Sequence, residues 1–183
     1  YADAFERLSG LISGGSVEAV RFYLLRADCS FWLREYQRVR SDAGRVLSVD
    51  RFNAKAVYLI ANTLYAGVGN LSAARHNVDF CLSFAPDHRG CGRLRRKLQL
   101  VGGAFARGQE AMAAGEHATA VESFREVLVL DPQTPLRRRV LVAVCESHGL
   151  LQQQRDDEQQ PLARAASPGA AGAPLPCLFL PGA

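Results

Sequence analysis

The chain has 183 residues, of which 48% are hydrophobic, 8% aromatic and 16 glycine, and it carries a formal net charge of +4. That length suits one sizeable domain or a short repeat array, and the abundance of small residues suits close helix packing. No uncharged apolar run reaches the roughly 18 residues a membrane-spanning helix needs, and the basic residues are interspersed with acidic ones instead of forming the stripe that nucleic acid calls for. The chain starts at Tyr1 with no basic-then-apolar leader, as expected of a processed chain or a piece of a longer one, so its ends do not reveal where it resides.

Residues 2–12 place Ala4, Phe5, Leu8, Leu11 and Ile12 on one side and run into Ser13, Gly14 and Gly15, as the second helix of a partial repeat over 2–15 would. Ser16 is a candidate cap and Glu18 a favourable first-turn acid for a helix over about 17–33. Its partner is predicted over Tyr36–Val49, with Asp50–Asn53 as the turn. A helix over 54–67 then turns at Gly67–Asn70 into another over Leu71–Phe84. After Pro86 the stretch DHRGCGRLRRKLQLVG has helix formers beyond Gly92 and apolar spacing at Leu94, Leu98 and Val101. The next helix is therefore expected to be lengthened at its start by about three turns and to lean out of the stack. Thr134 and Pro135 open a further helix whose stripe is Leu136, Val140, Ala143 and Val144. Beyond about Leu151 the sequence turns polar and then rich in Ala, Pro and Gly, and disorder is expected from about 160 to 183.

The stretch Ala104–Pro132 shows the pattern most clearly. Gly108, Ala111 and Ala120 let two short helices approach, Phe124 fills the gap between them, and Pro132 stops the second helix. The same slots recur at Asn62, Tyr65, Ala74, Val78, Cys81 and Pro86. They recur again 35 residues earlier at Ala27, Ser30, Val39, Ala43, Val46 and Arg51. Between Asn62 and Gly108 the spacing stretches to 46 residues, which locates the insertion in the lengthened helix. This arrangement resembles the tetratricopeptide (TPR) repeat, a helical hairpin of about 34 residues. The expected fold is all-α, a TPR-type helical-hairpin solenoid wound as a right-handed superhelix. Its TPR domain would span 1–151, with repeats over about 20–53, 55–88 and 101–134 and a capping helix over 135–151. A low-complexity, disordered C-terminal tail would occupy 152–183.

Nothing in the sequence assembles a catalytic set. His76, His88, His117 and His148 stand apart from any second ligand at metal spacing, the five cysteines include no CxxC, and the glycines near 102, 103 and 108 follow no strand. No catalytic residue, cofactor or metal is therefore expected. The basic knots Arg93, Arg95, Arg96 and Lys97, and Arg137, Arg138 and Arg139, lack interleaved aromatics and read as solvated helix faces. Cys81 and Cys91, ten residues apart, are either a bridge that fastens the lengthened helix or two small buried thiols.

The runs LLRADC, CLSFAPDHRGC and RRKLQLVGGAFARGQEAM together resemble, over about residues 5–150, the later repeats of a DnaJ/TPR co-chaperone family, that of the inhibitor of the interferon-induced double-stranded-RNA-activated kinase. The resemblance implies the lumen of the endoplasmic reticulum, an array that holds unfolded or misfolded polypeptides, and a J domain that stimulates a DnaK-type chaperone. It also implies a Cys81–Cys91 disulfide. Cys29 matches a family cysteine whose usual partner falls at Ser13–Gly15, where this sequence has none, so that second bridge is expected to be absent. The J-domain tripeptide His-Pro-Asp does not occur either, so the chaperone-stimulating step is not expected of this stretch.

The exposed positions of the first helices should line the concave face of such an array. These are Arg21, Leu24, Asp28 and Phe31, then Leu59 and Thr63, then Phe105, Gln109 and Met112. Clasping an acidic tail takes Lys and Asn where this chain has Phe105 and Gln109, so apolar client segments fit the face better. The alternative is a scaffold that binds a folded partner, such as a protein kinase, through charged outer faces including Arg93–Lys97, or that works in the cytoplasm.

Overall fold

The structure, a computed structural model, describes residues 1–12 and 19–164. Among these the chain forms helices only: α1 Ala2–Ile12, α2 Ala19–Trp32, α3 Tyr36–Val49, α4 Ala54–Thr63, α5 Leu71–Phe84, α6 Arg89–Ala113, α7 His117–Leu130 and α8 Arg137–Arg164, with a π-helical turn at Leu64–Val68. Each helix packs on the next, so α2–α3, α4–α5 and α6–α7 are three hairpins stacked in chain order, as the all-α solenoid requires. Side-chain caps set two of the starts. Asn53 accepts the Ala56 N–H at 3.1 Å ahead of α4, and Asn70 accepts the Ala73 N–H at 3.0 Å ahead of α5, each satisfying a donor that the first helical turn leaves open.

Three apolar clusters run along the stack. Ala27, Val39, Ala43, Val46, Ala56 and Leu59 fill the space between the first hairpin and α4. Val57, Ala61, Ala74, Val78, Cys81, Cys91, Leu94 and Leu98 join α4, α5 and the start of α6. Val101, Ala104, Phe105, Ala111, Ala120, Phe124, Val127, Leu136 and Val140 join the rest of α6 to α7 and α8. Burying side chains of this size stabilises by about 1.5–3 kcal/mol each, so no hairpin carries its apolar side alone. In the third hairpin Gly108 is the point of closest approach. A Cβ built there would meet the Phe124 ring at 2.6 Å, so only glycine lets that ring lie flat on the α6 backbone.

The structure changes four expectations. Helix α6 is indeed lengthened, at 25 residues against 14 in α7, but it does not lean out of the stack. Its stripe of Cys91, Leu94, Leu98, Val101, Phe105, Gly108 and Ala111 is buried throughout, and one helix serves two clusters. It starts at Arg89, where His88 caps it by accepting the Cys91 N–H at 3.1 Å. The helix expected over 54–67 stops at Thr63 and widens into the π-turn. Helix α8 begins at Arg137, although Thr134 does take up the Leu136 N–H at 3.3 Å, and it runs to Arg164, past the expected limit of 151. Glutamine, arginine and glutamate are good helix formers; their polarity denies QQQRDDEQQ a core position, not a helical backbone. The expected cap at Ser16 with Glu18, and the tail from 165 onward, lie outside the described residues.

Candidate protein-interaction groove

Tyr65 occupies, in the second repeat, the slot held by Ser30 in the first and Ala111 in the third, and it is too large merely to fill it. Its ring is buried and its hydroxyl leaves the α4–α5 hairpin to donate to the Asp131 carboxylate, 66 residues away in the corner after α7. Lys97 of α6 reaches the same carboxylate at 2.9 Å and lies 5.3 Å above the Tyr65 ring. Thr134 stands 3.4 Å from the phenol oxygen. Burial, and next the hydrogen bond to a carboxylate that a phenolate would oppose, push the Tyr65 phenol well above its ordinary value.

Above this knot lies a groove of about 320 Å³ to which the first helices of all three hairpins contribute: Phe31 and Trp32 from α2, Asn62 from α4 with Tyr65 and Ala66 from the π-helical turn that continues it, and Lys97 from α6. Phe31 meets Trp32 and Tyr36 edge-on, with ring centroids 6.2 and 5.9 Å apart, and Trp32 remains 64% exposed. Arg34 stands on the rim. Its left-handed φ of 60° closes α2, with the Glu35 N–H returning to the Ser30 carbonyl at 2.9 Å. An aromatic wall, a polar floor and one cation on the rim can take up an extended chain by stacking and by hydrogen bonds to its backbone.

The structure divides the predicted face. Leu24 and Phe31 are half-buried, Gln109 is exposed and Met112 is half-buried. Asp28 is partly exposed but held by Lys55 at 2.5 Å. Leu59, Thr63 and Phe105 are not available to a partner and must be removed from it. Leu59 is sealed between hairpins, 2% exposed, among Ala27, Val39 and Ala56. Thr63 is fully buried, and its hydroxyl finds no partner. Phe105 packs on Phe124 at 5.8 Å and is covered by the Arg139 guanidinium at 5.0 Å. Trp32, Arg34 and Tyr36 were missed because they lie at or between helix ends, where periodicity assigns no face, and Asn62 because its repeat slot marked it as packing. Three consecutive bulky residues, Phe31–Trp32–Leu33, were the available signal.

One of the histidines expected to stand alone, His88, does not. Cys81 and Cys91 are joined by a disulfide with Cα atoms 6.5 Å apart, and both are fully buried. A ring nitrogen of His88 lies with their sulfurs in a cluster whose ligand atoms are all within 4.8 Å of one another. This corrects the reading of His88 as remote from any second ligand: seven residues from Cys81 and three from Cys91 look unrelated in sequence, but the α5–α6 corner folds them together. Cys29 is unbonded and buried; its would-be partner region, Ser13–Gly15, lies outside the described residues.

The fold is that of a tetratricopeptide-type helical-hairpin solenoid. The chain resembles the TPR domain of P58(IPK), with a TM-score of 0.67 and 20% identity over 81% of this chain and 42% of that one. It is also similar to the human and mouse proteins named DnaJ homolog subfamily C member 7, each 30% identical over 112 residues, or 61% of this chain. It spans about a fifth, 22%, of the length of those relatives. No family model matches the chain.

Proposed function

We propose that this chain is a co-chaperone module without chemistry of its own, holding unfolded or misfolded polypeptides in the groove between its first helices. Its clients would pass to a DnaK-type chaperone through a J domain supplied outside this stretch. The observation that carries the reading is the groove itself: exposed Trp32 beside Phe31 and Tyr36, over a floor fixed by Tyr65 and Asp131, offers apolar and hydrogen-bonding contacts with the Arg34 guanidinium at its rim. Similarity to proteins named as DnaJ homologs supports the same assignment. Residence in the endoplasmic reticulum lumen is part of the proposal, supported by the buried Cys81–Cys91 bridge, which suits an oxidising compartment.

A reduced, permanently unfolded client carrying a fluorophore tests the reading. The double variant Phe31→Ala with Trp32→Ala should weaken client binding by about tenfold or more while leaving the helical signal unchanged. Equal binding by the variant would remove the groove from the function. The alternative, a scaffold gripping a folded partner such as a kinase through Arg93, Arg95 and Arg96, predicts binding that falls steeply with added salt and ignores the Phe31 and Trp32 changes. Lys97, the fourth member of that basic knot, is already engaged by Asp131.

A further inference from the structure

We propose that Cys81, His88 and Cys91 form a zinc site when the disulfide between the two cysteines is reduced, so that the α5–α6 corner has two closed states, one held by a covalent bridge and one by a metal ion. The three ligand atoms already lie within 4.8 Å of one another. Zinc bonds of about 2.3 Å to sulfur and 2.0–2.1 Å to nitrogen require ligand atoms roughly 3.5–3.8 Å apart in a tetrahedron; once the bridge is reduced the two sulfurs must part by about 1.7 Å from bonding distance, a movement within reach of side-chain rotation, while the imidazole nitrogen already lies within about 1 Å of the required spacing. The surroundings favour it. Cys91 is the third residue of the 25-residue helix α6, where open N–H groups and the helix dipole stabilise a thiolate. His88 is fixed on both sides, by the Cys91 N–H that its Nδ1 accepts at 3.1 Å and by the Tyr58 ring at 5.8 Å. Gly90 leaves the space in which those two rings sit, since a Cβ there would lie 3.1 Å from His88 Cε1 and 3.2 Å from the Tyr58 ring.

The chemistry balances with a dithiol as reductant. Two electrons break the Sγ–Sγ bond, two protons go to the Cys81 and Cys91 sulfurs, and the dithiol leaves as its own disulfide. Zinc then displaces both thiol protons to solvent and takes one nitrogen of His88, with water in the fourth position. A small-molecule disulfide as oxidant reverses the sequence: it takes two electrons from the two thiolates and leaves as two thiols, their protons drawn from solvent, while the Cys81–Cys91 bond re-forms and the ion is released. A reducing compartment would therefore not leave the corner open.

The test uses the full chain with Cys29, Cys145 and Cys177 changed to serine, reduced with a dithiol, freed of it under nitrogen and titrated with Co²⁺. The expected result is one equivalent bound with a thiolate-to-cobalt charge-transfer band, lost on adding Zn²⁺, and no band in the oxidised chain. His88→Asn retains a capping oxygen for the Cys91 N–H but offers no imidazole, and should weaken binding by more than about tenfold, the loss that even outer-shell partners cause. Zinc should also slow re-formation of the disulfide in the parent chain and not in His88→Asn. Absence of the band in the reduced chain, equal binding by His88→Asn, or a reduced chain whose lost helicity zinc does not restore would each overturn the proposal.

Discussion

The first and third hairpins are the same supersecondary unit held closed by different physics. In the first, Arg26 of α2 forms a two-pronged ion pair with Asp42 of α3, at 2.8 and 2.6 Å, and the Asp42 side chain is only 3% exposed. The guanidinium also lies over the rings of Phe5 in α1 and Tyr23 in α2, at 5.7 and 5.5 Å, so one side chain ties three helices. In the third, the residue at the matching place in the repeat, Arg107, pairs with Glu126 on the outside, where the two side chains are 55% and 48% exposed. Closure there comes from shape, with Phe124 seated on Gly108. A repeat specifies that two helices must meet; it leaves open whether charge or volume holds them.

The largest expected effect strikes the hairpin held by shape. Phe124→Ala removes a ring that is 1% exposed and leaves a cavity against a glycine that cannot fill it. A loss of about 3–5 kcal/mol is expected, read as a lower urea midpoint. A loss below about 1 kcal/mol would mean that α6 and α7 collapse onto each other and that shape is not what closes this hairpin.

The two arginines give the sharpest contrast. Arg26→Ala strands the Asp42 carboxylate inside the first hairpin and should cost about 3 kcal/mol, whereas Arg107→Ala should cost less than about 1 kcal/mol because its pair is solvated. Equal losses in paired denaturation curves would erase the distinction between the hairpins.

How much of this was legible follows the same division. The slots Ala27, Val39, Ala43 and Val46, and their counterparts Ala74, Val78, Cys81, Gly108, Ala120, Phe124 and Val127, are all buried, because small and apolar residues at helical spacing have one way to be satisfied. Helices α3 and α5 were bounded correctly for the same reason. The Arg26–Asp42 pair and the Tyr65–Asp131 bond could not be read, since an arginine or aspartate at a helix position looks solvated until the partner helix is placed. The groove suffered most. Leu59 and Phe105 were assigned to an open face because a single-helix periodicity cannot tell the concave side of a stack from the seam between hairpins.

The second hairpin lies between these extremes, and its Tyr65 is the next test. Tyr65→Phe keeps the buried ring and deletes the bond to Asp131, so about 1–2 kcal/mol should be lost near neutrality. The phenol is raised in the folded chain, so its contribution is complete below the unfolded value near pH 10 and declines as pH rises above it, where the unfolded chain gains by ionising. At pH 11 the parent should therefore have given up about 1.4 kcal/mol of its advantage over Tyr65→Phe. A difference between the two proteins that stays constant from pH 8 to pH 11 would show that this phenol ionises as freely in the fold as outside it.

The smallest effect has the opposite sign. Ser30 holds in the first hairpin the slot that Ala111 holds in the third, and its fully buried hydroxyl has no hydrogen-bond partner among the described residues. Ser30→Ala removes a polar group that folding strips of water without recompense, and it places the better helix former in the last turn of α2. A gain of about 0.5–1 kcal/mol is expected, while the matching Ala111→Ser should lose at least as much because it plants the same stranded hydroxyl in the hairpin closed by shape. Should Ser30→Ala destabilise instead, the hydroxyl must be bonded in solution, and the first hairpin would then depend on a buried polar contact besides the Arg26–Asp42 pair and the Arg45–Tyr23 bond.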